Sequence, residues 1–194
     1  MKTTSIKTKL LPVMLTLCMV LSLVPVSALA AATVTATETA DFTAADDGVA
    51  ALALLNQAKT TGAANSTWDY SSKTLTLRGI DFTTTAATAV KMPAGSTIVL
   101  ADGTNNRIQS GDAMAEQNGE DKNQIFITAL DALGNLTIEG NTGTLSVTSG
   151  SHKNAGNAWT YSSAISVYGD LTVKGGHVTA QGGLAQATGS GALA

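Results

Sequence analysis

The sequence predicts an all-β fold, a right-handed parallel β-helix, and three observations point to it. Short alternating segments recur in threes: Val90/Met92, Ile98/Leu100 and Ile108; Ile125/Ile127, Leu136/Ile138 and Leu145/Val147; Ile165/Val167, Leu171/Val173 and Val178/Ala180. Comparable segments return about every 35 residues, a solenoid period. Turn residues able to take positive φ separate them, as in Pro93-Ala94-Gly95, Asp102-Gly103, Leu133-Gly134-Asn135, Tyr168-Gly169-Asp170 and Gly175-Gly176.

The first thirty residues read as a secretory signal peptide, with Lys2, Lys7 and Lys9 preceding an apolar run from Leu10 to Val24. Ala28-Leu29-Ala30 supplies a small-x-small cleavage site, so cleavage is expected near Ala30. Pro12 and Pro25 bracket the run, which is short for a bilayer-spanning helix. Cys18 lies inside it, preceded by Leu17 rather than the small residue a lipidation site needs. The mature chain therefore contains no cysteine, and its stability must come from packing rather than disulfides. Cleavage also removes three of the 11 basic residues facing 14 acidic ones, giving a net charge of about −6. With no basic patch visible, this argues against nucleic acid or anionic membrane as partners.

Residues 31–42 are Ala/Thr-rich without periodicity and read as a flexible leader. A capping helix follows within 43–62, with Thr43 as N-cap and Asp46 in capping-box spacing. Val49, Leu52 and Leu55 form its apolar stripe, widened by Leu54 and alanines 45, 53 and 58, and Gly62 stops it. Placed ahead of the first coil, it can cover the open end of a solenoid.

From residue 63 to 194 the period is that of strands. Each coil turns one apolar row inward and one Thr/Ser/Lys row outward: Leu136 and Ile138 in, Thr137 out; Leu171 and Val173 in, Thr172 out. Two polar insertions, Asp112 to Gln124 and Ser151 to Ser163, lengthen coils that would otherwise hold about twenty residues. Ala192-Leu193 matches Ala164-Ile165 and opens a fourth set, so the chain is expected to continue into further coils.

The stretch Trp68-Asp69-Tyr70-Ser71-Ser72-Lys73-Thr74-Leu75-Thr76-Leu77-Arg78-Gly79 is followed by repeated Gly-x-Leu-Thr-Ile/Val and Gly-Gly-x-Val-Thr-Ala-x-Gly-Gly segments. Over residues 68–194 this resembles secreted right-handed β-helix proteins of Gram-positive bacteria described as carbohydrate-binding-domain proteins. The resemblance implies extracellular or cell-wall-associated contact with polysaccharide or glycan, without established catalysis, and carries over no set of site residues.

Two W-x-Y-S-S segments supply candidate binding residues, Trp68 with Tyr70 and Trp159 with Tyr161; Tyr168 joins them as a third tyrosine. Trp and Tyr rings suit the apolar faces of sugars. The alternative for Trp68 and Tyr70 is packing between the first coil and the helix. A polysaccharide lyase or hydrolase would need paired carboxylates, and Asp102, Asp112, Glu116, Glu120 and Asp121 with Arg78 or Arg107 are the candidates. Most fall in one insertion, which reads more simply as a solvated loop. His152 and His177 are isolated, with no spacing for a metal site, and no phosphate-binding or nucleophile motif occurs. No cofactor is expected. The readings are therefore a non-catalytic glycan-binding surface module, a stalk or adhesin-like scaffold without its own ligand, and a lyase-like enzyme.

Overall fold

The structure, a computed structural model, describes residues 35–112, 124–154 and 159–187, all within one compact unit, residues 33–194. The signal segment, Glu116, Glu120, Asp121 and the Ala192-Leu193 set lie outside the described residues.

In chain order the elements begin with β1 (Thr35–Ala36), β2 (Ala40–Asp41) and helix α1 (Val49–Gln57). Then come β3 (Thr67–Asp69), β4 (Thr74–Leu77) and β5 (Asp81–Thr84), followed by β6 (Thr88–Met92), β7 (Ser96–Leu100) and β8 (Asn105–Gln109). The next group is β9 (Gln124–Ala132), β10 (Leu136–Gly140), β11 (Thr144–Thr148) and β12 (His152–Asn154). The last is β13 (Trp159–Val167), β14 (Leu171–Lys174), β15 (His177–Gln181) and β16 (Ala185–Ala187).

The described chain is mostly β, and its sheets are largely parallel. Their orders are β1-β5-β8-β11-β15, β14-β10-β7-β4-β3, β13-β9-β6-β2 and β12-β16. In the three larger sheets most strands pair with the strand three or four places along the chain. Among the named strands only β3 departs, turning back antiparallel on β4.

Register brings like residues together. Leu75, Ile98 and Ile138 align across β4, β7 and β10, and all three are fully buried. Phe82, Ile108 and Val147 align likewise across β5, β8 and β11. Burying one such side chain contributes about 2 kcal/mol relative to leaving it in water. One turn shows the backbone requirement plainly: Gly95, between β6 and β7, takes φ 77°, where a side chain would be strained.

Several sequence expectations need correction. Residues 35–42 are not a loose leader: β1 and β2 pair with β5 and β6, and Ala40 and Phe42 are buried. The helix starts at Val49, because Gly48 turns left-handed (φ 80°) just before it. Asp46 still serves that end, its carboxylate accepting from the N–H groups of Gly48 (3.2 Å) and Ala50 (2.8 Å). Thr43 instead donates its hydroxyl to Asp41 at 2.6 Å. The buried stripe is Ala51, Leu55 and Ala58, whereas Val49 is exposed.

Register also shifts some partners. Ile165 and Val167 face Leu130 and Ala132 rather than Ile125 and Ile127, because β9 and β13 run for nine residues each. Ile108 faces Val147, so Leu145 faces Asn106. Leu136 and Ile138 are buried as expected, but Leu171 and Val173 are about half exposed. Their strand, β14, lies at the edge of its sheet, with no described strand beyond it. The second insertion itself contains β12, which pairs with β16, and the start of β13.

Candidate functional site

Each polar insertion begins just after a pair of small residues. Ser110-Gly111 and Ser149-Gly150 pack on one another, followed by Gly182-Gly183. The Ser110 hydroxyl accepts from Gly150 N–H (3.0 Å), and the Ser149 hydroxyl accepts from Gly183 N–H (2.8 Å). A Cβ on Gly150 would run into the carbonyl of Gly111, and one on Gly183 into that of Gly150. Only glycine permits that approach.

The chain rejoins the sheets at β9 and β13, and here the aromatic residues gather. Register sets Tyr161 directly beside Phe126. Their rings are stacked, with centroids 5.1 Å apart and planes 8° from parallel. Phe126 is 55% exposed and Tyr161 half-buried, whereas the next residue, Ile127, is fully buried. Ser162, the register partner of Ile127, anchors this end of β13. Its hydroxyl donates to Gly150 O (2.8 Å), meets the Ser149 hydroxyl at 2.6 Å and accepts from Gly183 N–H (2.9 Å).

Each ring gives one face to the other. On the far side of Phe126 no strand among the described residues stands beside it, because β6 begins only at Thr88, opposite Thr128. Trp159 lies two residues before Tyr161 on β13, opposite Gln124; its side chain falls outside the described set. Phe126 was missed in the sequence reading, although its place between Ile125 and Ile127 put it on the opposite face from a buried residue.

The other candidates are dispersed. Trp68 is partly buried, its ring 4.8 Å from that of Phe42 and its indole N–H donating to Asp47 O at 2.9 Å. The packing alternative has this ring set against neighbouring residues, and here it lies on Phe42 just ahead of α1. Tyr70, in the β3–β4 turn, is 56% exposed. Tyr168 is 72% exposed just past β13, about 20 Å along the strand from Tyr161. The structure therefore brings Phe126 together with Tyr161 and leaves Trp68, Tyr70 and Tyr168 elsewhere.

On the outer face of the same sheet, Asp41, Lys91, Asp131 and Ser166 align across four strands. Lys91 and Asp41 approach to 4.0 Å. Burial raises the Asp131 carboxyl above its ordinary value, offset in part by the Lys91 charge and a hydrogen bond with Ser166.

Of the candidate catalytic carboxylates, the two among the described residues, Asp102 and Asp112, each accept hydrogen bonds. Asp102 accepts from Thr142 N–H (3.1 Å) and Oγ1 (3.3 Å), and Asp112 from Ser151 N–H (2.6 Å). Arg107 pairs with Asp81 at 2.8 Å and also reaches Thr83 and Gln109. Of the histidines, His152 is buried and His177 exposed. Among the described residues no group of three or more His, Cys, Asp or Glu is placed to hold a metal ion. None of the described helices is long and apolar enough to cross a membrane. Comparison with family models, curated proteins and solved structures finds no match to this chain.

Proposed function

We propose that this chain is an exported, right-handed parallel β-helix, capped by α1, that binds extracellular polysaccharide or glycan without catalysis. The sheet orders support the solenoid: strands pair in parallel with those three or four places on, and parallel crossovers are overwhelmingly right-handed. The helix supports the cap, since Ala51, Leu55 and Ala58 join the same core as Leu75, Ile80 and Phe82.

The observation that carries the binding reading is the stacked Phe126–Tyr161 pair, with Phe126 exposed and Tyr161 half-buried, where both insertions return to the sheet. A stacked pair is a rigid apolar surface, and its free faces can take the C–H face of a sugar ring. Trp159 lies two residues before Tyr161 on the same strand. The engagement of Asp102 and Asp112 in turns weighs against glycosidic cleavage, which requires two carboxyl groups across the bond.

Glycan-array binding by the secreted chain tests the proposal. Loss of binding in Phe126→Ala, Tyr161→Ala and Trp159→Ala, with retention in Trp68→Phe, is the expected pattern. Binding unchanged in the first three variants, or no glycan bound at all, would sink it. A scaffold without its own ligand is the second reading, favoured by the half-exposed Leu171 and Val173 on edge strand β14. Release of unsaturated sugar from a pectin-like substrate would instead revive the enzyme reading.

A further inference from the structure

We propose that the groove beside Arg78 is a second subsite, which takes the carboxylate of an acidic sugar residue; it rests on the glycan-binding reading above. The groove crosses the end of the β4-β7-β10 sheet and encloses about 400 Å³, lined by Thr76, Arg78, Val99, Asp102 and Asn141 among others. Gly140, also in its lining, packs closely on β7: a Cβ there would meet the carbonyl of Leu100 at 2.9 Å.

Arg78 is the unusual member. The guanidinium of Arg107 donates to Asp81, Thr83 and Gln109. Among the described residues the side chain of Arg78 has neither an ion-pair nor a hydrogen-bond partner, although it is half-buried and shares its groove with Asp102. Asp102 directs Oδ1 to Thr142 instead. A planar guanidinium with unused donors matches a carboxylate in bidentate fashion. The hydroxyl of Thr76 and the amide of Asn141 add neutral polar groups of the kind that meet sugar hydroxyls. The charge of Asp102 selects among anions: one carboxylate next to Arg78 is tolerated, whereas a phosphate dianion or a densely sulfated chain is repelled.

Calorimetric titration of the full chain with short oligogalacturonates and with their methyl esters tests this. The free acids should bind about tenfold more tightly than the esters. Arg78→Gln should erase that preference, and Arg78→Lys should keep part of it. If Arg78→Gln still distinguishes acid from ester, or wild type binds both alike, the subsite is overturned. Should both forms then bind equally in a manner lost with Tyr161→Ala, the aromatic reading survives alone; a chain that binds neither form overturns both.

Discussion

Asn106 in β8 stands in register with Leu145 in β11, a polar amide beside an aliphatic side chain in one inward row. The amide is 2% exposed and uses its full hydrogen-bonding capacity. Its oxygen accepts from the N–H groups of Gly79 (2.8 Å) and Ile80 (3.2 Å), and its nitrogen donates to Thr104 Oγ1 (3.1 Å) and Thr144 O (3.0 Å). It thus ties the bend before β5 to the layers carrying β8 and β11.

Asn106→Leu would match Leu145 in character yet strand several buried backbone groups. We expect a loss of about 3 kcal/mol, read as a lower midpoint in urea unfolding. A stability equal to or above wild type would show that these hydrogen bonds are dispensable.

Two glycines should respond differently to alanine. Gly150 has the Gly111 carbonyl where a Cβ would go, so Gly150→Ala must push apart two layers. A cost of about 3 kcal/mol is expected. Gly95 has open space around it, and only its positive φ opposes a side chain; Gly95→Ala should cost about 1 kcal/mol. Thermal unfolding of the pair would reveal the order, and equal losses would contradict it.

Trp68→Phe removes one hydrogen bond to Asp47 O while keeping most of the packing on Phe42, and should cost about 1 kcal/mol. Trp68→Ala should cost about 3 kcal/mol or more. Both are measurable by denaturant unfolding, and a Trp68→Ala variant as stable as wild type would refute its packing role.

Two carboxylates should give opposite pH signatures. Burial raises Asp131, so the folded chain holds this proton more tightly than the unfolded chain. Its penalty is complete above the raised pKa and disappears as pH falls below the ordinary value of 3.8. Asp131→Asn should therefore raise the melting temperature at neutral pH, with the gain fading in acid. The hydroxyls of Ser71 and Ser72, with backbone N–H groups of the same residues, lower Asp69. Its stabilisation is present above 3.8 and is lost as pH falls through the lowered value. Asp69→Asn should thus lower the melting temperature at neutral pH and converge on wild type in acid. Melting curves across that range decide both signs.

Strand positions were legible because alternation is a local signal: Leu136/Ile138 and Leu145/Val147 fall in β10 and β11. Exact partners were less so, because register depends on contacts between distant segments. Asn106 shows why, since a polar residue in an inward row hides the match with Leu145 and Val178. On β9 the run Ile127 to Leu130 is buried throughout, so simple alternation fails where both faces are covered. The helix start was obscured by Gly48, which turns left-handed where a Cβ would run into Phe42 and Trp68. Of the candidate site, the W-x-Y segment supplied Tyr161 directly, but only pairing across β9 and β13 could reveal Phe126 as its companion.

The Ser-Gly corner has a consequence for how this chain can vary. Each layer is locked to the next by a serine hydroxyl and a backbone N–H before the chain departs into its insertion. Between Asp112 and β9 loop length is uncoupled from register, so residues can be gained or lost there without sliding a strand, whereas the second insertion is tied by the pairing of β12 with β16. The segment that brings the chain to Phe126 is thus the freer to change, and a new recognition surface could be fitted onto an unaltered frame.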